Sequence, residues 1–264
     1  MPLAVEHIRR MRGGAQAQLL RCRDKTAQDL YYIVKFPNNP QGLRILANEL
    51  LAARLGLPVP YVAAVEVRED LVRNSADLKI QLGRSSIACQ AGFCFGSQYP
   101  GDPSSMVVYD LLPDEQLRSV ENLAAFAGML AFDKWTCNTN GRQAVFFRAP
   151  GRLQYRAMMV DQGFCFNAGE WNFPDAPLRG IYLRQCVYEA VCGMDSFEPY
   201  LARIERLDEA ALEQAAEEIP PEWYGFDSAA LYRLLEQLHR RRTLVRDLLM
   251  ATWKSERNPF PNWT

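Results

Sequence analysis

The segment from Phe132 to Gly163 constrains this chain more than any other. An apolar helix closes on Phe132-Asp133-Lys134-Trp135, and a polar loop, Thr136-Cys137-Asn138-Thr139-Asn140-Gly141-Arg142-Gln143, feeds the apolar strand Ala144-Val145-Phe146-Phe147. A second short strand, Tyr155 to Val160, delivers Asp161 at its exit, where Gln162-Gly163 turns the chain at once. A helix end and two short strands with turn residues between them must pack together, so amides and a carboxylate meet at one edge.

Around this segment the elements fall into two groups. Residues 10–18 form a glycine hairpin leading into Leu19-Leu20-Arg21-Cys22, and Tyr31 to Phe36 reads as a strand stopped by Pro37-Asn38-Asn39-Pro40. Leu43, Leu46, Leu50 and Leu51 make the apolar stripe of a helix over 43–55, ended by Gly56 and Pro58. Val59–Val67 and Ser85–Cys94 are expected strands, and Met106 to Pro113 is a short apolar strand that closes a first unit of residues 1–112. In the second unit, 113–264, a helix over Val120–Trp135 with Ser119 as its N-cap precedes the two short strands. Helices are then expected over Ile181–Cys192, Glu198–Ile204, Glu209–Glu218 and Ala229–Trp253. The fold class is α+β: a β-rich N-terminal lobe with one helix, then a mostly helical C-terminal lobe.

Composition narrows the chemistry. The 264 residues are 48% hydrophobic and 23% charged with a net charge of -1, which suits a soluble protein with a sizeable core and provides no basic field for direct nucleic-acid or membrane binding. The start lacks the charged-then-apolar pattern of a signal peptide, and no apolar run approaches the ~20 residues of a membrane span. Seven cysteines without a C-x-x-C pair read as reduced core residues of a cytoplasmic protein. Only His7 and His239 are present, so a His-ligated zinc site or a Ser-His-Asp triad is excluded by count. Carboxylates, amides and a lysine must carry any chemistry. Nothing in the sequence indicates an oligomeric state.

Lys35 lies inside an apolar strand, where its ammonium either snorkels to water or meets an anion; Glu49, in the next helix, is a candidate partner. Gly13-Gly14, with Gln16 close by, is a hairpin turn or a loop whose backbone amides approach phosphates. Asp161 suits metal ligation, with Asn138, Asn140 and Gln143 as neutral oxygen donors. Asp133 either pairs near Lys134 or points into a cleft as a base. A carboxylate and amides at the ends of two short strands suit Mg²⁺ held on nucleotide phosphates.

These residues resemble the HipA-like kinase family, whose active site is related to that of the phosphoinositide 4-kinases. The matching stretches are F-D-K-W-T-C-N-T-N-G-R-Q, V-D-Q-G-F-C-F-N, the helix N-E-L-L-A-A-R-L-G-L-P-V-P and the loop G-G-A-Q-A-Q-L-L, spread over residues 10–170. The resemblance implies a bilobal protein-kinase-like fold that transfers the γ-phosphate of ATP, with Mg²⁺, to a hydroxyl acceptor, a protein Ser/Thr. It implies that Lys35 contacts the α- and β-phosphates, that Glu49 orients Lys35 and that Gly13, Gly14 and Gln16 cover the phosphates. Val108 and Tyr109, in the hinge Met106–Leu112, would hold adenine, and Asp161 would bind Mg²⁺. Arg142 takes the loop's His-or-Arg place, Asn140 falls where the family has its catalytic aspartate, and Gln143 falls near the metal asparagine after a two-residue shortening. A second register reads Asp133 and Asn138 as the base and the metal amide. Because an amide cannot accept a hydroxyl proton, a pseudokinase serving as a nucleotide-binding or interaction module stands beside the kinase, as does a small-molecule kinase.

Overall fold

The computed structural model describes residues 1–56 and 59–264; Pro58, expected to help stop the first helix, lies outside the described residues. The N-terminal region is built on strands β1 (Leu3–Arg10), β2 (Gln18–Arg23), β3 (Asp29–Lys35), β4 (Val62–Val67) and on β7 (Gly92–Gln98). They close into a barrel in the order β1-β2-β3-β7-β4, antiparallel except where Leu3 of β1 meets Glu66 of β4. Closure leaves no edge strand. Alternating residues, among them Leu20, Cys22, Tyr32, Val34, Val65 and Cys94, fill the barrel's own core. Helix α1 (Arg44–Arg54) lies outside the barrel, and α2 (Glu69–Asn74) and the hairpin of β5 (Lys79–Leu82) with β6 (Ser85–Ala88) are additions to it.

The expected strand Ser85–Cys94 is split between β6 and β7. The Asn38 side chain donates to Ala88 O at 2.9 Å and accepts from Gln90 N at 2.9 Å, which ends β6 at Ala88 and leaves residues 89–91 outside any strand. The Gly92 φ of +124° then starts a new direction.

After the barrel come β8 (Val108–Tyr109), α3 (Asp114–Arg118), α4 (Ala125–Thr136), β9 (Gln143–Phe147) and β10 (Arg156–Val160). The three strands form a sheet ordered β10-β9-β8. The helix expected from Val120 begins only at Ala125. Glu121 N donates to Tyr155 O, and the Asn122 amide pairs with both backbone groups of Ala157, so residues 121–122 are tied to the strand side instead. Ser119, expected as an N-cap, ends α3 with its hydroxyl on Gln116 O.

The C-terminal region holds α5 (Glu198–Glu205), α6 (Glu209–Ala216), α7 (Ser228–Arg241) and α8 (Val245–Trp253). The helix expected over Ala229–Trp253 is broken at 242–244. There the Arg242 guanidinium takes the carbonyls of His239, Glu205 and Leu207, which holds the chain in a tight turn. The helix expected over Ile181–Cys192 is a single 3₁₀ turn, Gln185–Tyr188. The larger core runs from α1 (Leu46, Leu50, Leu51) through α4 to the C-terminal helices, so α1 packs with the helical region more than with the barrel core. Six cysteines are buried and unpaired, whereas Cys192, expected in the core, is exposed. No helix among the described residues is long and apolar enough to cross a membrane.

Candidate active site

A cleft of about 710 Å³ opens between the barrel and the β8–β10 sheet, lined by Gly13, Gly14, Lys35, Val108, Gln143 and Asp161 among others. Lys35 is the last residue of β3, 6% exposed. Its Nζ donates to Glu49 Oε1 at 2.5 Å and to Asp161 Oδ1 in a still closer contact. Burial alone would depress this lysine, but the two carboxylates outweigh burial and hold the ammonium above the ordinary lysine range. Residues 126 positions apart in sequence thus meet at one cation.

Glu49 is buried, and its second oxygen accepts the backbone N–H of Gln162 at 2.9 Å. Asp161 leaves β10 in the left-handed region, φ 60°, which swings its carboxylate toward Lys35. Two carboxylates on one ammonium leave the trio with a net charge of -1, and Asp161 Oδ2 has no hydrogen-bond partner among the described residues. The side chain of Asp161 is 35% exposed, so this free oxygen faces a site that a further cation would neutralise. No group of three His, Cys, Asp or Glu among the described residues could cage a metal by itself. A divalent ion suited to this donor set is one that shares its coordination with phosphates and water, as Mg²⁺ does.

The polar loop behaves differently. Asp133 is fully buried and forked by Arg142, with Arg142 Nε to Oδ2 at 2.8 Å and Nη2 closer still on Oδ1. Burial pushes the Asp133 carboxyl up, and Arg142 with Asn138 pulls part of that back. Gly180 (φ +74°) lies over it, where any Cβ would stand 2.3 Å from Asp133 Cβ. Asn138 is also fully buried, donating to Asp133 Oδ1 at 3.0 Å and accepting Asn140 N at 3.1 Å. Arg142 continues to Val160 O at 2.9 Å and Gln162 Oε1 at 2.6 Å, joining the loop to the Asp161 turn. Asp133 and Asn138 therefore brace the cleft from behind and do not line it, whereas Gln143 and Arg142 do.

Asn140 is half-buried; its Oδ1 accepts Gly141 N, and its own side chain is not among the cleft's lining groups. Gln16 lines the cleft, but its amide is occupied on both sides by the backbone of Gln81. Tyr109 turns out of the cleft and meets Tyr155 edge-on at 5.7 Å, while Val108 lines it. Sequence reasoning missed Asp110, Gln162 and Asn48. Asp110, a lone carboxylate between Tyr109 and Leu111, carried a signal; Gln162 meets the distant Arg142 and Glu49 side chains, Asn48 meets backbone groups more than a hundred residues away, and neither carried one.

No family model and no curated protein sequence matches the chain. Its likeness is to solved structures. The structure of hydra Fam20 with sugar superposes with a TM-score of 0.57 at 12% identity, covering 98% of this chain and 87% of that one. The Helicobacter pylori proinflammatory kinase CtkA superposes with 0.57 at 16%, covering 93% and 94%. The Golgi casein kinase with Mn/ADP bound gives 0.52 at 11%, covering 97% and 74%. The chain has a kinase-like fold. Identities this low establish architecture alone, and they do not single out the HipA-like family from other kinase-like folds.

Proposed function

We propose that this chain is a HipA-like phosphotransferase that binds ATP with Mg²⁺ and transfers the γ-phosphate to a hydroxyl, a protein Ser/Thr. The observation that carries this reading is Lys35 held between Glu49 and Asp161 at the floor of a nucleotide-sized cleft. Glu49 would keep the ammonium in place where Lys35 meets phosphate oxygens, and the Asp161 carboxylate would hold the metal. The backbone at Gly13 and Gly14 approaches the phosphates, and Val108 offers an apolar wall to the base. Gln143 supplies a neutral oxygen beside Asp161, and Asn140 stands at the acceptor end of the polar loop. Asp133, Asn138 and Arg142 position that loop. Bound Mg²⁺ would neutralise phosphate charge and align the transferring group. Six buried, unpaired cysteines favour a reducing, cytoplasmic setting.

A second reading, a nucleotide-binding module without transfer, is favoured by one observation: the carboxylates lining the cleft are Glu49, Asp110 and Asp161, and none belongs to the polar loop. The test is thermal stabilisation by Mg-ATP, with turnover measured in parallel. Lys35→Met and Asp161→Ala are expected to fold and to lose most of the stabilisation, which at saturating ligand is about 3 kcal/mol for the parent. Full stabilisation in both variants would refute nucleotide binding here; binding without turnover in the parent would select the module.

A further inference from the structure

Helix α1 presents four residues to the chain that follows Asp161. Arg44 and Asn48 lie one turn apart, as do Ile45 and Glu49, so all four share a face. The segment they meet, 161–171, holds five non-glycine residues in the left-handed region: Asp161, Phe166, Asn167, Ala168 and Trp171. Such a run does not hold itself, because L-residues leave that region unless their surroundings pin them.

The pin is one side chain. Asn48 Nδ2 donates to Gly163 O at 2.8 Å, Cys165 O at 3.0 Å and Ala168 O at 2.8 Å. Its Oδ1 accepts the indole N–H of Trp171 at 2.8 Å. Asn48 is 1% exposed, so no water competes for these groups. Flanking contacts point the same way. Arg44 donates to Gly169 O at 2.8 Å and stacks over the Trp171 ring at 4.6 Å. Gly163 lies so close that a Cβ would be 2.5 Å from Ile45 Cγ2. Glu49 holds Gln162 N.

We propose that Asn48 is a positioning residue that welds α1 to the 161–171 loop, so that the Lys35–Glu49 pair and the Asp161 carboxylate move as one preassembled metal and phosphate site. This rests on the reading of Asp161 as the metal carboxylate. Only asparagine and glutamine carry two N–H donors beside a carbonyl acceptor, and glutamine's extra methylene would push the loop off the helix. A consequence is that α1 cannot swing outward without releasing the loop, so the site needs no modification to assemble.

The test uses the full chain, its Asn48→Ala variant and Trp171→Phe, which keeps a ring under Arg44 and removes the donor to Asn48 together with part of a buried indole. Amide hydrogen exchange over 161–171 is read together with ADP binding, without metal and with Mn²⁺. In Asn48→Ala, exchange at Gln162 is expected to speed about tenfold, and ADP affinity in Mn²⁺ to fall about tenfold with metal-free affinity unchanged. Trp171→Phe should move both readouts about threefold the same way, and it carries the decision if Asn48→Ala does not fold. Parent-like exchange, or equal losses of ADP affinity with and without Mn²⁺, would overturn the role of Asn48. If the parent chain binds no ADP, the functional reading fails on its own, and exchange alone decides whether Asn48 pins the loop.

Discussion

The end of α4 and the turn after β10 each present one aspartate, Asp133 and Asp161, within a single 29-residue stretch, yet the two carboxylates have opposite surroundings. Asp133 is fully buried, its oxygens taken by Arg142 and Asn138. Asp161 is a third exposed, shares Lys35 with Glu49 and keeps one oxygen free toward the cleft. The difference teaches which of the two carboxylates is left available to a ligand in the cleft. In the proposed reading the cleft side carries the unneutralised carboxylate, Asp161, while the polar loop offers an amide, Asn140, and a carboxylate, Asp133, locked into structure. Burial and pairing, more than residue type, divide the two roles.

The comparison breaks most visibly by removing each charge in turn. Asp133→Asn strips the counter-ion from a fully buried arginine, so unfolding free energy is expected to drop by about 3–5 kcal/mol in a urea titration. Asp161→Asn leaves Lys35 with Glu49, and its cost should stay under about 1 kcal/mol, because Asp161 is a third exposed and the buried ammonium keeps its buried partner. Equal costs would mean that both loops are structural and that Asp161 has no site to serve.

How much of this contrast was legible in the sequence depends on range. Lys35, Glu49 and Asp161 were legible because each ends or interrupts an apolar element, where a charge has few reasons to be. The barrel hairpin, α1 and the β9–β10 pair followed from local period and turn residues. The inward turn of Asp133 and Asn138 was not legible. It depends on Cys137 adopting φ 51°, on Arg142 reaching back nine residues, and on Gly180 arriving from 47 residues downstream. Helix starts failed for a similar reason: residues 121–122 match helical propensity, but Tyr155 and Ala157 compete for their backbone and side-chain groups. Propensity yields where a strand offers the same donors a partner.

The acceptor side can be sharpened by restoring what it lacks. Asn140→Asp puts a proton acceptor at a half-buried position of the polar loop, next to Gly141 and outside the Asp133–Arg142 fork itself. If Asn140 stands where the transferred group meets its acceptor, the variant should raise ATP turnover about 10²-fold, the lower range for a positioned base. An unchanged rate, with nucleotide binding intact, would remove Asn140 from the reacting end and leave transfer to positioning alone.

The smallest expected effect tests whether the end of α4 is a brace. Lys134, beside Asp133, is buried, and its ammonium donates to Pro177 O at 2.7 Å and Arg179 O at 2.9 Å, with Ala176 O at 3.4 Å. Burial pulls its pKa down from 10.5 to about 8. Below pH 8 the lysine is protonated in both folded and unfolded chains, and that difference contributes no slope. Between about 8 and 10.5 the unfolded chain still holds the proton that the folded one has released, so stability must rise with pH across that window. The carbonyls favour the charged form and offset part of the burial cost, which reduces the expected rise to about 1 kcal/mol. Chemical denaturation at pH 7.5 and at pH 10, in the parent and in Lys134→Met, isolates it, since the methionine variant should lose the rise while the other lysines and tyrosines titrate alike in both. A parent that weakens over this window, with Lys134→Met weakening equally, would show that Lys134 stays charged on its three carbonyls. The 176–179 segment would then be held by an ion, and the brace behind the cleft would be as pH-insensitive as the Arg142–Asp133 fork beside it.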